Sequence, residues 1–429
     1  MKQIRHRTGA VTEMERTTAK KNKYEIDMCN GTIMDKLISF SLPLMLSGIL
    51  QLMFNAVDII VVGRFSGSQA LAAVGSTSAL INVFTNLFIG ISLGANVLTA
   101  RFYAAGREKE VSETVHTAIT LALVSGIVMA LVGLVFSKGA LALMGTPDDV
   151  IGLSALYMRI YFLGMPFFML YNYGAAILRA VGDTKRPLLF LMIAGVINAC
   201  LNMVLVIVFK LGVAGVAIAT VISQMISCVL VLRCLCRSES SYRLRFSELG
   251  MKGYYLKQIF SVGVPAGIQS TVINFSNVLL QSSVNSFGST AMAGYTAANN
   301  LLGFLYVSVN SITQACMSFT SQNYGVGKLK RMDRVLADCM ILSVVVAVVL
   351  GCICYGFGPE ILQIYTEDAE VIACGMEILA YTTITYFLCG WMDLFPGALR
   401  GMGYSAVPMV LSVIGTVGTR VVWIFGIFP

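Results

Sequence analysis

The stretch Leu37–Gly75, LISFSLPLMLSGILQLMFNAVDIIVVGRFSGSQALAAVG, decides how the rest of the chain is read. Between Lys36 and Arg64 it holds one charge, Asp58. Leu37–Gly63 is long enough to cross a bilayer, which takes about 20 apolar residues. The polar residues after Pro43 are ordered: Ser47, Gln51, Asn55 and Asp58 follow at steps of 4, 4 and 3. That spacing puts all four on one side of an α-helix. Ser39 and Ser41 precede the proline and fall off the stripe. A membrane helix turns such a stripe away from lipid, because an unpaired polar group in hydrocarbon is costly. The helix therefore lines something, and a carboxylate in that lining is a functional-site candidate.

The composition agrees with a membrane setting. The chain is 57% hydrophobic and 12% charged, where a soluble protein carries about 25% charged residues. Strand-like alternation is absent, so the spans are read as helices. The net charge of +8 does not indicate nucleic acid, because the basic residues fall between the apolar runs and orient them. Eleven Cys lie mostly inside apolar runs. Cys234-Leu-Cys236 and Cys352-Ile-Cys354 read as small apolar residues before they read as metal ligands or lipidation sites. Two His are too few for a histidine metal centre. No P-loop appears, so energy is expected from an ion gradient and not from ATP.

Eleven apolar runs are placed near 37–63, 75–100, 115–137, 155–178, 187–209, 212–235, 258–284, 293–322, 336–358, 371–398 and 405–428. Gln258–Gly327 holds no charge and is divided at the turn-like cluster Ser286–Thr290. Most Lys and Arg fall on the side of the N-terminus, which is therefore expected in the cytoplasm. Asp148, Asp149, Glu367 and Asp368 gather on the other side. Met1–Lys36 is polar and basic and reads as a cytoplasmic tail, not a signal peptide.

The chain repeats itself. Gly106 pairs with Gly327, Leu178–Gly182 with Leu399–Gly403, and Pro187 with Pro408, each 221 residues apart. Pro43 and Asn55 pair with Pro265 and Asn277 at 222. Six helices per half make the repeats parallel, with their axis along the membrane normal. The expectation is an all-α polytopic membrane protein of two parallel six-helix bundles related by a pseudo-two-fold axis. It divides into a tail (1–36), an N-lobe (37–236), a cytoplasmic linker (237–257) and a C-lobe (258–429). The sixth helix of the second bundle finds no counterpart, which leaves eleven transmembrane helices and raises the alternative of a transport-incompetent fragment.

Asn55–Phe65 (NAVDIIVVGRF), Gly94-Ala-Asn-Val97 with Tyr103 and Gly106, and the twin Leu-Arg-x-x-Gly segments resemble the MATE (multidrug and toxic compound extrusion) family, in its prokaryotic DinF-like branch. The resemblance runs from about Asp27 to the last residue. It implies a twelve-helix, two-lobed architecture and efflux of amphipathic, often cationic organic compounds. In that branch a first-helix Asp and a polar N-lobe cluster handle protons. The Asp follows a helix-bending Pro by fifteen residues, as Asp58 follows Pro43. Asn198, Asn202 and Thr220 occupy the fifth- and sixth-helix positions, and Tyr157 and Asn172 match the rest of the cluster. Asn202 departs from the pattern, because the branch usually has a second carboxylate there. The sodium-coupled branch places a carboxylate on the seventh helix, and Gln258–Val284 has none.

The expected mechanism is exchange of substrate for inward protons by alternating access, with protonation of Asp58 repositioning the first helix near Pro43. The alternative is that Asp58 makes only a structural hydrogen bond. Gln51, Asn55, Asn277, Gln281 and Asp393 are candidate cleft residues, and Asp393 could instead pair with Arg400. Gln269, Asn299, Asn300, Asn310 and Gln314 are read mainly as interhelical glue. Arg420 lies inside the eleventh helix, where its partner is expected to be missing. Phe84, Phe88, Tyr171, Phe304, Tyr306 and Tyr386 serve as packing or face substrate. Gly90-Ile-Ser-Leu-Gly94 fits GxSxG but has no strand before it, so close helix packing is expected and not hydrolysis. Sodium-coupled export and lipid-linked-sugar flipping remain as alternatives. No cofactor is expected beyond the coupling ion, H+ or Na+. The expected partners are small organic molecules and the lipid bilayer, with no nucleic acid and no ATP, and the chain is expected to be a monomer.

Overall fold

The computed structural model describes residues 23–285, 287–363 and 368–427. The tail before Lys23, Ser286 of the turn cluster and Glu367 lie outside the described residues. Helices dominate, and no strand forms among the described residues. In chain order they are α1 (Met34–Ser66), α2 (Ser68–Ala104), α3 (Glu108–Leu143), α4 (Asp148–Leu163), α5 (Met165–Ala180), α6 (Lys185–Asn202) and α7 (Gly212–Cys236) in the first half. The second half holds α8 (Gly253–Asn285), α9 (Ser289–Gly325), α10 (Leu329–Gly356), the short α11 (Gly358–Leu362), α12 (Ala369–Gly401), α13 (Ala406–Ser412) and α14 (Thr419–Val422).

Eight of these stretches are long and apolar enough to cross a membrane, and nine when α4 and α5 count as one bent span. At 33 and 37 residues, α8 and α9 are as long as the others. Their Asn, Gln, Ser and Gly content makes them too polar to qualify on apolarity. The expected total of eleven rests on these two helices. The fourth span is not the single helix expected from 155–178. It breaks at Gly164, with Pro166 opening the second piece, and bends by 47°. The eleventh is also interrupted: α13 passes into wide π-type turns at Val413–Gly418 and Trp423–Ile427. A similar wide turn, Met203–Val208, follows α6 and overlaps the 221-residue counterpart of the last one.

The repeat has a backbone cause. Gly67 and Gly288 adopt φ of 87° and 97°, Gly106 and Gly327 of 69° and 73°, and Gly182 and Gly403 of 97° and 94°. Each pair sits at the same turn of its half, in a left-handed conformation that residues with a Cβ rarely adopt.

The halves meet through small residues. A Cβ on Gly90 would lie 2.3 Å from the Cα of Gly267, and one on Gly94 would lie 2.2 Å from the Ile259 carbonyl oxygen. Gly263 and Gly267 approach Ile91 and Leu87 as closely. The Gly90/Gly94 pair of α2 thus meshes with the Gly263/Gly267 pair of α8, which is the packing role expected for it. Helices α2 and α9 also bond directly: Ser318 Oγ donates to Asn96 Oδ1 at 3.1 Å, across a separation of 222 residues.

The first half has its own apolar core around Phe162, Met165, Met169 and Tyr173. Helix α1 divides its packing. Its first turns place Leu37, Phe40 and Leu44 in a core with Ile312, Phe319 and Leu394 of the second half. Its last turns place Val61 and Val62 in the first-half core. Pro43 lies inside the helix between the two. Gly48 then packs under Val307, and Phe54 fills the space over Gly195.

Candidate functional site

Asp58 is on the last third of α1, on the side that faces α6 and α7. Asn202 Nδ2 donates to Asp58 Oδ1 and, at 3.2 Å, to Asn198 Oδ1 one turn earlier. Thr220 Oγ1 on α7 lies 3.5 Å from Asp58 Oδ2 and 3.0 Å from the Val216 carbonyl. A hydroxyl has one proton, so the Thr220 bond to Asp58 competes with a bond to its own helix. Asn202 is fully buried, and its Oδ1 has no donor. The carboxylate is therefore held by neutral groups.

Tyr157 of α4 is buried and stacks on Tyr161, with ring centroids 6.1 Å apart. Both phenols lie near Asp58. The bend at Gly164 makes this possible, since a Cβ there would lie 2.8 Å from Val221 and 2.9 Å from Gln224. Helices α4 and α7 thus close within a turn of Thr220. Asn172 stands apart from these bonds: its amide donates to the Phe168 carbonyl of its own helix at 2.8 Å. The structure thus brings Asp58, Asn198, Asn202, Thr220 and Tyr157 together. Tyr161 joins them and was not singled out by sequence. Its position one turn after Tyr157 was the available signal.

The rest of the α1 stripe behaves differently. Ser47 folds back on the Pro43 carbonyl at 2.8 Å, whereas Gln51 and Asn55 are exposed. Asn277, Asn299 and Asn300 of the second half are exposed too. Amides at these depths imply contact with water, because lipid does not accept unpaired polar groups.

The end that carries the basic loops is closed. Besides the Asn96–Ser318 bond, Ser321 donates to the Val97 carbonyl at 2.6 Å and Gln322 to the Ala180 carbonyl at 2.7 Å. All four side chains are buried.

The second half has a polar cluster of a different kind. Arg400 NH2 donates to the buried Gln269 on α8. Asp393 lies two turns before Arg400 on the same face of α12, and Tyr306 of α9 lies near both. Gln314 donates to Asn310 at 3.1 Å on the same helix as Tyr306. Asp393 thus has a fixed cation nearby, and Gln269 joins α8 to α12 through that cation. The sequence offers Arg400 as a partner for Asp393, whereas its bond to Gln269 is not visible there. Arg420 does have partners: it donates to Asn277 Oδ1 at 2.6 Å and Ser276 Oγ at 3.1 Å on α8. The expectation that its partner is missing is corrected. Asn277 is thereby engaged by Arg420, and Gln281, one turn further on, is half-buried. Phe84 packs edge-on against Phe162 at 6.0 Å, as a core residue.

Comparison with known proteins decides the family. The MatE family model matches twice, over residues 43–204 and 265–425. The chain belongs to the MatE family. The two matches start 222 residues apart, the offset that pairs Pro43 with Pro265. YoeA of Bacillus subtilis strain 168, named a probable multidrug resistance protein, is 33% identical over 391 residues, 89% of this chain and 84% of YoeA. MepA of Staphylococcus aureus strain NCTC 8325 / PS 47, named a multidrug export protein, is 22% identical over 382 residues, 88% of this chain and 84% of MepA. Among solved structures, the outward-facing conformation of a multidrug resistance MATE family transporter of the MOP superfamily superposes with a TM-score of 0.88 at 20% identity. That match covers 95% of this chain and 92% of the other. The chain is therefore a multi-pass membrane transporter for small molecules and not an enzyme.

Proposed function

We propose that this chain exports amphipathic, often cationic organic compounds in exchange for inward protons, and that Asp58 carries the proton. The observation behind this is the buried amide of Asn202. Its NH2 donates to the Asp58 carboxylate, while its carbonyl oxygen has no donor. Turned about its last bond, the same amide presents an acceptor to a carboxylic acid. Asn202 can therefore serve Asp58 in both protonation states, which a second carboxylate could not do without a proton of its own. The relatives' names, a probable multidrug resistance protein for YoeA and a multidrug export protein for MepA, support export of drugs.

The orientation follows the basic loops, which place the closed end in the bacterial cytoplasm and the exposed amides outside. The lobes, 37–236 and 258–429, rock about the glycine-packed seam. Pro43 bends α1 between the core it shares with the C-lobe and the cluster it completes in the N-lobe, so a change at Asp58 is felt by both lobes. Asn198, Asn202, Thr220 and Tyr157 orient the acid. Gln51 and Asn55 line the substrate path, with Asn277, Gln281 and Asp393 on the far wall. Asn172 is outside the proton path. Protons are preferred over sodium because α8 holds no carboxylate and Asp393 has Arg400 beside it.

The test is ethidium efflux from vesicles under an imposed pH gradient or an imposed sodium gradient. The pH gradient drives efflux by the wild-type chain and fails to drive it in Asp58→Asn. Efflux driven by sodium alone, or efflux unchanged in Asp58→Asn, overturns the proposal.

A further inference from the structure

The segment before α1 crosses the closed end and holds both halves. On the first-half side, Glu25 accepts from two phenols, Tyr103 and Tyr242, each at 2.7 Å. The Ile26 amide donates to the Gly182 carbonyl at 3.4 Å. A Cβ on Gly182 would lie 2.6 Å from the Ile26 carbonyl oxygen, so the chain lies directly on that turn. Arg186 sits over the Tyr24 ring at 5.5 Å. On the second-half side, Met28 is fully buried in the core of Phe40 and Phe319. Asn323 donates to its carbonyl at 3.1 Å. Lys328 donates to the Cys29 carbonyl at 2.9 Å, and Arg331 to the Asn30 carbonyl at 3.1 Å.

We propose that residues 24–30 are a latch that holds the two halves together at the basic end, and that the Glu25 hook is the part that lets go when this end opens. The two attachments differ in kind. The second-half side combines a buried apolar anchor with backbone carbonyls held by fixed donors, and it continues into Leu37 and Phe40 of α1. The first-half side rests on one flexible carboxylate, one long backbone bond and a ring contact. Opening the basic end separates Gln322 from Ala180 and Ser318 from Asn96, so a segment bonded to both sides must release one. The side that costs less to release is Glu25. Because the latch leads directly into α1, it joins the closed end to the helix that bears Asp58.

This inference rests on the rocking of the halves proposed above, and the experiment separates the two. Spin labels are attached through p-acetylphenylalanine at Lys185 and Lys330, both exposed at the basic end, one on each half. The eleven cysteines stay in place. Double electron–electron resonance then reads the distance distribution. In the wild type a short distance dominates and a longer one is the minority. Tyr103→Phe combined with Tyr242→Phe removes only the two hydroxyls and enriches the longer distance by about a hundredfold, at about tenfold for each hydrogen bond lost to a charged acceptor. Glu25→Ala does the same, and Glu25→Gln, which keeps an acceptor, gives a smaller rise. A longer wild-type distance that no variant enriches overturns the latch and leaves the rocking intact. A single short distance in the wild type and in every variant overturns both.

Discussion

Each half of the molecule holds one acid deep in its helices, and the two are compensated in opposite ways. Asp58 of the first half is met by the amide of Asn202 and the hydroxyl of Thr220. Asp393 of the second half lies under the charge of Arg400, which Gln269 holds in place. The repeat sharpens the contrast. At the 221-residue offset Asp393 corresponds to Asn172 and Arg400 to Arg179. At the 222-residue offset Asp58 corresponds to Leu280. Duplicated halves have thus placed their acids on different helices. An acid held by neutral dipoles can gain a proton without leaving an uncompensated cation behind. An acid beside a guanidinium cannot, because burying an unpaired charge is costly. The first half is therefore suited to a changing charge and the second to a fixed one.

The largest expected effect is on transport. Asp58→Asn abolishes efflux driven by a pH gradient, while Asp393→Asn retains a measurable rate in the same vesicles. Equal loss in both variants would break the division of labour. Next in size is stability in the second half. Arg400→Gln removes the charged donor to Gln269 and leaves Asp393 without its counter-charge, lowering stability by about 1.5–3 kcal/mol, the range for a hydrogen bond to a charged group. Thermal unfolding in detergent reads this, and adding Asp393→Asn restores the part of the loss that comes from the uncompensated acid. Asn202→Ala loses two bonds, to Asp58 and to Asn198, and costs about 2 kcal/mol in stability, and it lowers the efflux rate as strongly as any change at the site short of Asp58. Smallest is Thr220→Val, whose bond to Asp58 is at the outer limit of length. It costs under about 1 kcal/mol and leaves the coupling ion unchanged.

These contrasts were partly legible in the chain. The 4, 4, 3 spacing on α1 found the face that carries Asp58, because helical periodicity is a local signal. The repeat of Leu-Arg-x-x-Gly and of the paired glycines was legible because each glycine answers a turn that needs positive φ. Asn202 and Thr220 came from the family resemblance and not from spacing. The contact of Arg400 with Gln269 joins residues 131 positions apart, and Asn96 meets Ser318 across 222. No local pattern encodes such pairs. The bend at Gly164 was missed because Gly164 and Pro166 lie in one unbroken apolar run, and only the approach of Val221 and Gln224 shows why the helix breaks there. The Glu25 hook was hidden in a stretch whose charge read simply as tail.

The most direct test of Asp58 as the exchanging group is proton release on substrate binding by purified protein in weakly buffered detergent solution, with ethidium as the ligand. The account predicts that the wild type and Asp393→Asn release protons when ethidium is added and that Asp58→Asn binds ethidium without releasing any. Proton release from Asp58→Asn at the wild-type level would contradict it.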